Sequence, residues 1–300
     1  MERAEVERLY AVGREARLDG GESQDWIARL APEQDGLRAA VEQLAADGDA
    51  ERAVELAAAV WRLWLVSGDP EGGRGMLAAA LDSGEPRPSL ARALALYGDG
   101  LLAFRQGDQE GSRARNDAAL AAARRIGDRG AEALALVGLS RVAFREGDNA
   151  RVKELAREAL ALVEGDDDTS VAPLHMLAAG TRLAGGHDAA RDLYLESLEL
   201  NRRRGDSRMV AVELHNLGHV ERHLGDLEAA ARRFAECSEL RQGSSDPYDA
   251  AMELLNSAAL GGGDARELLG RAEALLAEAG IVLDPDDRFE LDELGGRLAD

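Results

Sequence analysis

The sequence predicts an all-α chain of stacked helix pairs, and three observations lead to that class. Glycines 68, 107, 147, 185, 225 and 263 are separated by 39, 40, 38, 40 and 38 residues, a period that belongs to an array of helix-turn-helix units. After most of them comes an aspartate (Asp69, Asp108, Asp148, Asp226, Asp264). Glycine then supplies the left-handed end of one helix, and aspartate accepts the free N–H groups of the next. One complete unit runs from Val212 to Leu240, VELHNLGHVERHLGDLEAAARRFAECSEL. Leu217 and Gly218 sit in the middle of its first helix, Gly225 and Asp226 make the turn, and Ala230, Phe234 and Cys237 recur at i, i+4, i+7 on its second.

Taken in order, residues 2–18 form a helix stopped by Gly20 and Gly21, and Ser23 caps a short helix carrying Trp26, Ile27 and Leu30. A third helix runs from about Pro32 to Ala46 with Leu37, Val41 and Leu44 on one face, ending at Gly48 and Asp49. Residues 1–48 are thus predicted to be N-terminal capping helices, residues 49–280 the repeats and residues 281–300 a C-terminal capping helix. Asp128 and Asp206, after Gly127 and Gly205, punctuate the array between units. Gly185-Gly186-His187 departs from the Gly-Asp pattern. Residues 83–89, 165–170 and 243–246 read as surface loops. Asp166, Asp167 and Asp168 lack the ligand spacing of a calcium loop. Gly261 to Gly263 has neither the lysine nor the preceding strand of a phosphate site, so a turn is expected. From Asp284 and Pro285 a last amphipathic helix carries Phe289, Leu291, Leu294 and Leu298, suited to closing the open end of an array.

Composition narrows the function. With 36 Lys and Arg against 57 Asp and Glu, the net charge is −21, which disfavours general attraction to nucleic acid or anionic lipid. No direct nucleic-acid or membrane partner is expected. The single cysteine excludes an internal disulfide and a cysteine-built zinc site, and no apolar run reaches spanning length, so the expected location is cytoplasmic. The only lysine, Lys153, is followed by Glu154, which rules out a Walker-type phosphate loop. No cofactor is implied.

The unit at 212–240 resembles a tetratricopeptide repeat. That resemblance implies a right-handed superhelical solenoid of about six helix pairs with capping helices. From Trp26, WIARLAPEQDGLRAAVEQLAADGDAERAVELAAAVWRLWLVSGDPEGGRGMLAAAL is similar to the start of the tetratricopeptide segment in large actinobacterial LuxR-like, ATP-binding transcriptional regulators. The later LLAFRQGD, RVAFREGD and NLGHVERHLGD continue the likeness to about residue 241. In those regulators the segment receives a small-molecule or protein signal. Here no phosphate loop and no C-terminal helix-turn-helix pattern accompanies it.

The first helix of each such pair lines the concave side, so counting back from each turn glycine predicts the groove. The count gives Glu55, Arg62 and Leu65, then Tyr97, Leu101, Phe104 and Arg105, then Val137, Arg141, Phe144 and Arg145. Further on it gives His175 and Arg182, then His215, His219, Arg222 and His223, and last Glu253 and Ser257. In an acidic protein this set is basic and aromatic. It suits an acidic or anionic ligand, because arginine makes forked hydrogen bonds to carboxylates. The structural alternative pairs these arginines with acids on neighbouring helices while Phe104 and Phe144 pack between repeats. A carboxylate clamp of the kind known in some tetratricopeptide domains uses lysines and an asparagine; Asn216 is present and the lysines are not.

His215 and His219, at i and i+4, share a helix face and form a weak candidate metal pair, with His223 turned further round. Trp61 and Trp64 read as core, and Cys237 as an inert packing residue. The leading expectation is a non-enzymatic adaptor or regulatory protein that holds a peptide or protein segment in the groove. The alternatives are a sensor of an anionic metabolite on the same surface, and an enzyme centred on His215, His219 and Arg222.

Overall fold

The computed structural model describes residues 1–85, 87–244 and 246–297. The expected Leu298 lies outside the described residues, as do Pro86 and Ser245 of two predicted loops. The fold is all-α, and among the described residues there is no strand.

Two compact units divide the chain at Val142 and Ala143. The first holds α1 (Arg3–Glu15), α2 (Ser23–Leu30), a 3-10 turn (Ala31–Glu33), α3 (Gln34–Ala46), α4 (Ala50–Val60), α5 (Arg62–Val66), α6 (Pro70–Leu81), α7 (Leu90–Arg105) and α8 (Gln109–Ile126), with most of α9 (Arg129–Arg145). The second holds the end of α9, then α10 (Asn149–Leu162), α11 (Asp167–Leu183), α12 (His187–Arg204), α13 (Ser207–His223), α14 (Leu227–Arg241), α15 (Pro247–Ala259), α16 (Ala265–Glu278) and α17 (Pro285–Arg297).

The turn chemistry read from the sequence is realised. Asp69, Asp108, Asp128, Asp148, Asp206, Asp226 and Asp264 each accept a backbone N–H from the first turn of the following helix. From Gly107 to Gly280 a left-handed glycine recurs at 107, 127, 147, 165, 185, 205, 225, 243, 261 and 280, marking both the turns within pairs and those between them. The departure expected at Gly185 is confined to the missing aspartate: Gly185 has φ 81°, and Gly186 stands at the cap with no side chain to accept. The stretch 165–170 is tighter than a loop. Asp166 caps α11 by accepting from the N–H groups of Asp168 and Thr169, which places Asp167 and Asp168 in its first turn.

In the first unit Trp61 and Trp64 are buried as expected. Their rings fit because Gly98 of α7 faces Trp61 and Gly73 of α6 faces Trp64, each at a distance that leaves no room for a Cβ. Arg74 and Arg115 close over the buried Asp99, with nitrogen–oxygen distances of 3.0 and 2.7 Å. In the second unit Tyr194, Leu198, Leu214, Leu217, Val220 and Cys237 form one buried cluster across α12, α13 and α14. The Cys237 thiol is pushed up to about 11 by burial, which keeps it protonated and unreactive.

The last helix differs from the expectation of a simple closing cap. Leu291 and Leu294 are buried with Tyr248, Met252, Leu255, Leu269 and Leu276 of α15 and α16, whereas Phe289 is 45% exposed. The helix also buries Asp286, Asp287 and Glu290. A helix closing an array would turn such residues to water.

Candidate functional site

The predicted groove residues fall into two groups. In the first unit the aromatic ones are interior: Tyr97 stands edge-on to Trp61, and Phe104 is 1% exposed. Phe144, in the second unit, is likewise buried at 4%. These rings pack and offer no face to a ligand, which corrects the aromatic part of the expected groove. Arg62 lies over the Trp61 ring and 3.9 Å from Asp19, while Arg105 and Arg141 are half-buried near the C-terminal ends of α7 and α9.

In the second unit the basic residues converge, and what they converge on is the chain's own α17. Arg182, near the C-terminus of α11, donates through Nη1 to Asn216 Oδ1 at 2.7 Å, and its Nη1 and Nη2 reach Asp286 and Glu290. One turn of α13 brings His215 to Asp287, with Nε2 2.7 Å from Oδ1, while its Nδ1 lies 2.8 Å from Asn256 Oδ1 of α15. Tyr248, also on α15, donates its hydroxyl to the other oxygen of Asp287 and accepts the backbone N–H of Asp284 at 3.1 Å. The next two turns bring His219, Arg222 and His223 to Glu290 and Glu293: Arg222 Nη2 donates to both carboxylates, and His223 Nε2 lies 2.8 Å from Glu290 Oε1. Arg145 holds the strap that leads into α17, donating to the Leu283 carbonyl at 3.0 Å with Asp284 3.5 Å away. His175 has its Nδ1 3.1 Å from the buried Glu213, which also accepts from Ser197.

The electrostatics follow from burial. Burial alone would raise Glu290 and Asp287, but Arg182 and His219 around Glu290, and His215 and Tyr248 around Asp287, hold both well below the carboxylate range. Asp286 is pushed up to about 6 by burial and by the charge of Asp287 beside it. His219 is fully enclosed, edge-on to Phe234, and burial pulls it down to about 4. Glu290 Oε2 lies 3.1 Å from its Nδ1, while Nε2 is buried without a hydrogen-bond partner. The Nε atoms of Arg182 and Arg222 are also buried without one. Leu291 and Leu294 contribute about 2 kcal/mol each by burial, so α17 is held by a modest apolar contact and a dense ionic one.

His215 and His219 turn to different carboxylates and do not converge on a common point. Among the described residues, the set with ligand atoms close enough for a metal is His223, Glu290 and Glu293, within 4.8 Å of one another. Arg222 already donates to both glutamates and Arg182 to one of them. A divalent ion there would face two guanidinium groups, so the set is an ion-pair network.

Sequence reasoning missed the acidic half of this site and Tyr248. Asp286, Glu290 and Glu293 recur at i, i+4 and i+7, a stripe opposite in charge to the Arg and His rows. Tyr248 was hidden by the register. The Gly261 N–H bonds back to Ala258 and the Gly262 N–H to Ser257, as at the other turns. Counting from Gly261 instead of Gly263 replaces Glu253 and Ser257 by a set that begins with Tyr248.

Residues 169–243 match the family model of the tetratricopeptide repeat. No curated protein matches the chain. In fold it is similar to a Rap protein complexed with competence and sporulation factor, at 18% identity and a TM-score of 0.56, over 88% of this chain and 80% of that one. It is also similar to the APC/C hetero-tetramer Cut9-Hcn1, at 16% identity and a TM-score of 0.57, over 91% of this chain and 48% of that one. No helix among the described residues is long and apolar enough to cross a membrane. The stretch that matches the tetratricopeptide-repeat model, residues 169–243, spans most of α11 and all of α12 to α14 within an all-α helical-repeat fold.

Proposed function

We propose that the protein is a non-enzymatic adaptor whose second unit binds an acidic helical segment of a protein partner along the row Arg182, His215, Arg222 and His223. The observation that carries this reading is the occupant already there: α17 seats Asp287, Glu290 and Glu293 on that row. Repeats of this kind support a role in protein association, and the similar structures are a Rap protein complexed with a factor and Cut9 assembled with Hcn1. The likeness of residues 26–241 to the sensor segment of transcriptional regulators favours a regulatory setting.

The test uses the full chain with its own helix weakened by Glu290→Gln and Glu293→Gln, and a labelled peptide of residues 281–297 as the probe. Fluorescence anisotropy is expected to give saturable binding. Adding Arg222→Gln to the same chain is expected to lower affinity by about tenfold, the scale of one buried charged contact. A peptide that does not bind, or binds equally after Arg222→Gln, removes this reading.

A further inference from the structure

We infer that α17 is a tethered competitor of that partner: an incoming helix with the same carboxylate spacing replaces it on the row, and binding is an exchange of one acidic helix for another. This rests on the adaptor reading above. Three observations point to exchange. The first is that α17 is joined through residues 281–284, which are not helical and follow the left-handed Gly280; Ile281 and Leu283 anchor this strap in the core, so α17 beyond Asp284 can leave without unravelling α16.

The second is the quality of the seat. Buried Arg182 Nε, Arg222 Nε, His219 Nε2 and Asn256 Nδ2 make no hydrogen bond. Two adjacent carboxylates, Asp286 and Asp287, are enclosed side by side. A permanent element would be expected to satisfy these groups. The third is the face left over: Phe289, the largest apolar residue of α17, is 45% exposed beside His223, at a ring separation of 5.7 Å. A partner helix that buried its counterpart of Phe289 would outbid this occupant.

The chemistry of the row also fixes the kind of partner. Without α17, Arg182, Arg222 and His223 would lose their carboxylate partners and leave a row of basic groups facing the vacated seat. An arriving segment that replaces those contacts brings its own acids. The stripe to match is a carboxylate at i, i+4 and i+7 with a second at i+1 and leucines at i+5 and i+8, as in Asp286, Glu290, Glu293, Asp287, Leu291 and Leu294.

The experiment compares the wild-type full chain with the Glu290→Gln/Glu293→Gln chain, using the labelled 281–297 peptide and hydrogen exchange on residues 285–297. Glu293→Gln alone, at a partly exposed position, serves as the milder variant should the double one lose its helical signal. Exchange predicts that the variant binds at least about tenfold tighter than wild type, because the competent state is more populated. It also predicts that peptide binding strips protection from 285–297 in wild type. Equal affinity in the two chains leaves the adaptor reading standing and overturns the competitor. Absence of binding in both overturns the two together. A variant that doubles its mass without peptide, by light scattering, assigns the row to the α17 of a second copy and also overturns it.

Discussion

Single residues in this fold are decided by the space opposite them. Gly218, in the middle of α13, faces Phe234, and a Cβ built there would lie 2.3 Å from Cε1 of the ring. Phe234 is buried beside His219 and cannot retreat. Gly218→Ala is expected to lower stability by about 1–3 kcal/mol despite the better helix propensity of alanine. Gly270, exposed within α16 with nothing within 4 Å of its would-be Cβ, should show the opposite sign. Gly270→Ala is expected to add about 0.5–1 kcal/mol. Chemical denaturation of both variants checks the contrast, and equal signs would contradict it. The first of these roles was legible, since Leu217 and Gly218 stand at a packing position of the unit. The ring that makes it necessary was also visible, in Phe234. The pairing of Gly98 with Trp61 was not, because Trp61 and Gly98 belong to different units of the repeat and only packing brings them together.

At the scale of elements, the helices and their ends could be read almost directly. A cap needs a side-chain acceptor only two or three residues from the N–H that donates to it, so the Gly-Asp pairs announce themselves locally. The role of α17 could not be read that way. Its leucines gave an amphipathic helix, while the stripe Asp286, Glu290 and Glu293 has partners 67 to 108 residues earlier in the chain. The basic row was found from the repeat register alone, but not that the chain itself supplies its counter-charges. Where the register slipped by two residues, at Gly261, the error carried straight into the missing Tyr248.

For the whole molecule, pH acts through opposed groups of the second unit. His219 is pulled by burial from 6.5 to about 4, so unfolding takes up a proton between those values and stability falls as pH falls through them. Asp286 is pushed from 3.8 up to about 6 by burial and Asp287, so the folded state takes up its proton first and gains stability over nearly the same interval. These two nearly cancel. Glu290 and Asp287, held low by their cationic neighbours, contribute stability that is present above their ordinary values of 4.5 and 3.8 and is lost below them. The thermal midpoint is therefore expected to stay nearly level from pH 6.5 to about 4.5 and to drop steeply under pH 4. In Asp286→Asn the counterweight is gone, and the decline should begin near pH 6. Circular-dichroism melting across this range measures both; a wild-type midpoint that declines steadily from pH 7 would contradict the balance.

The recurrent left-handed glycines have a stereochemical consequence. At Gly127, Gly147 and Gly205 φ is +72°, +77° and +69°, and at Gly127 and Gly147 no atom lies within 4 Å of where a Cβ would stand. What reserves these positions for glycine is handedness, because the space beside them is open. A mirror-image residue prefers this region of backbone space as strongly as an ordinary one avoids it. Semisynthetic D-alanine at Gly147 is expected to raise stability by about 0.5–1 kcal/mol by narrowing the unfolded ensemble, and L-alanine there to lower it by about 1 kcal/mol. The joints of this chain are achiral by necessity, and a chemist could improve them where natural substitution cannot.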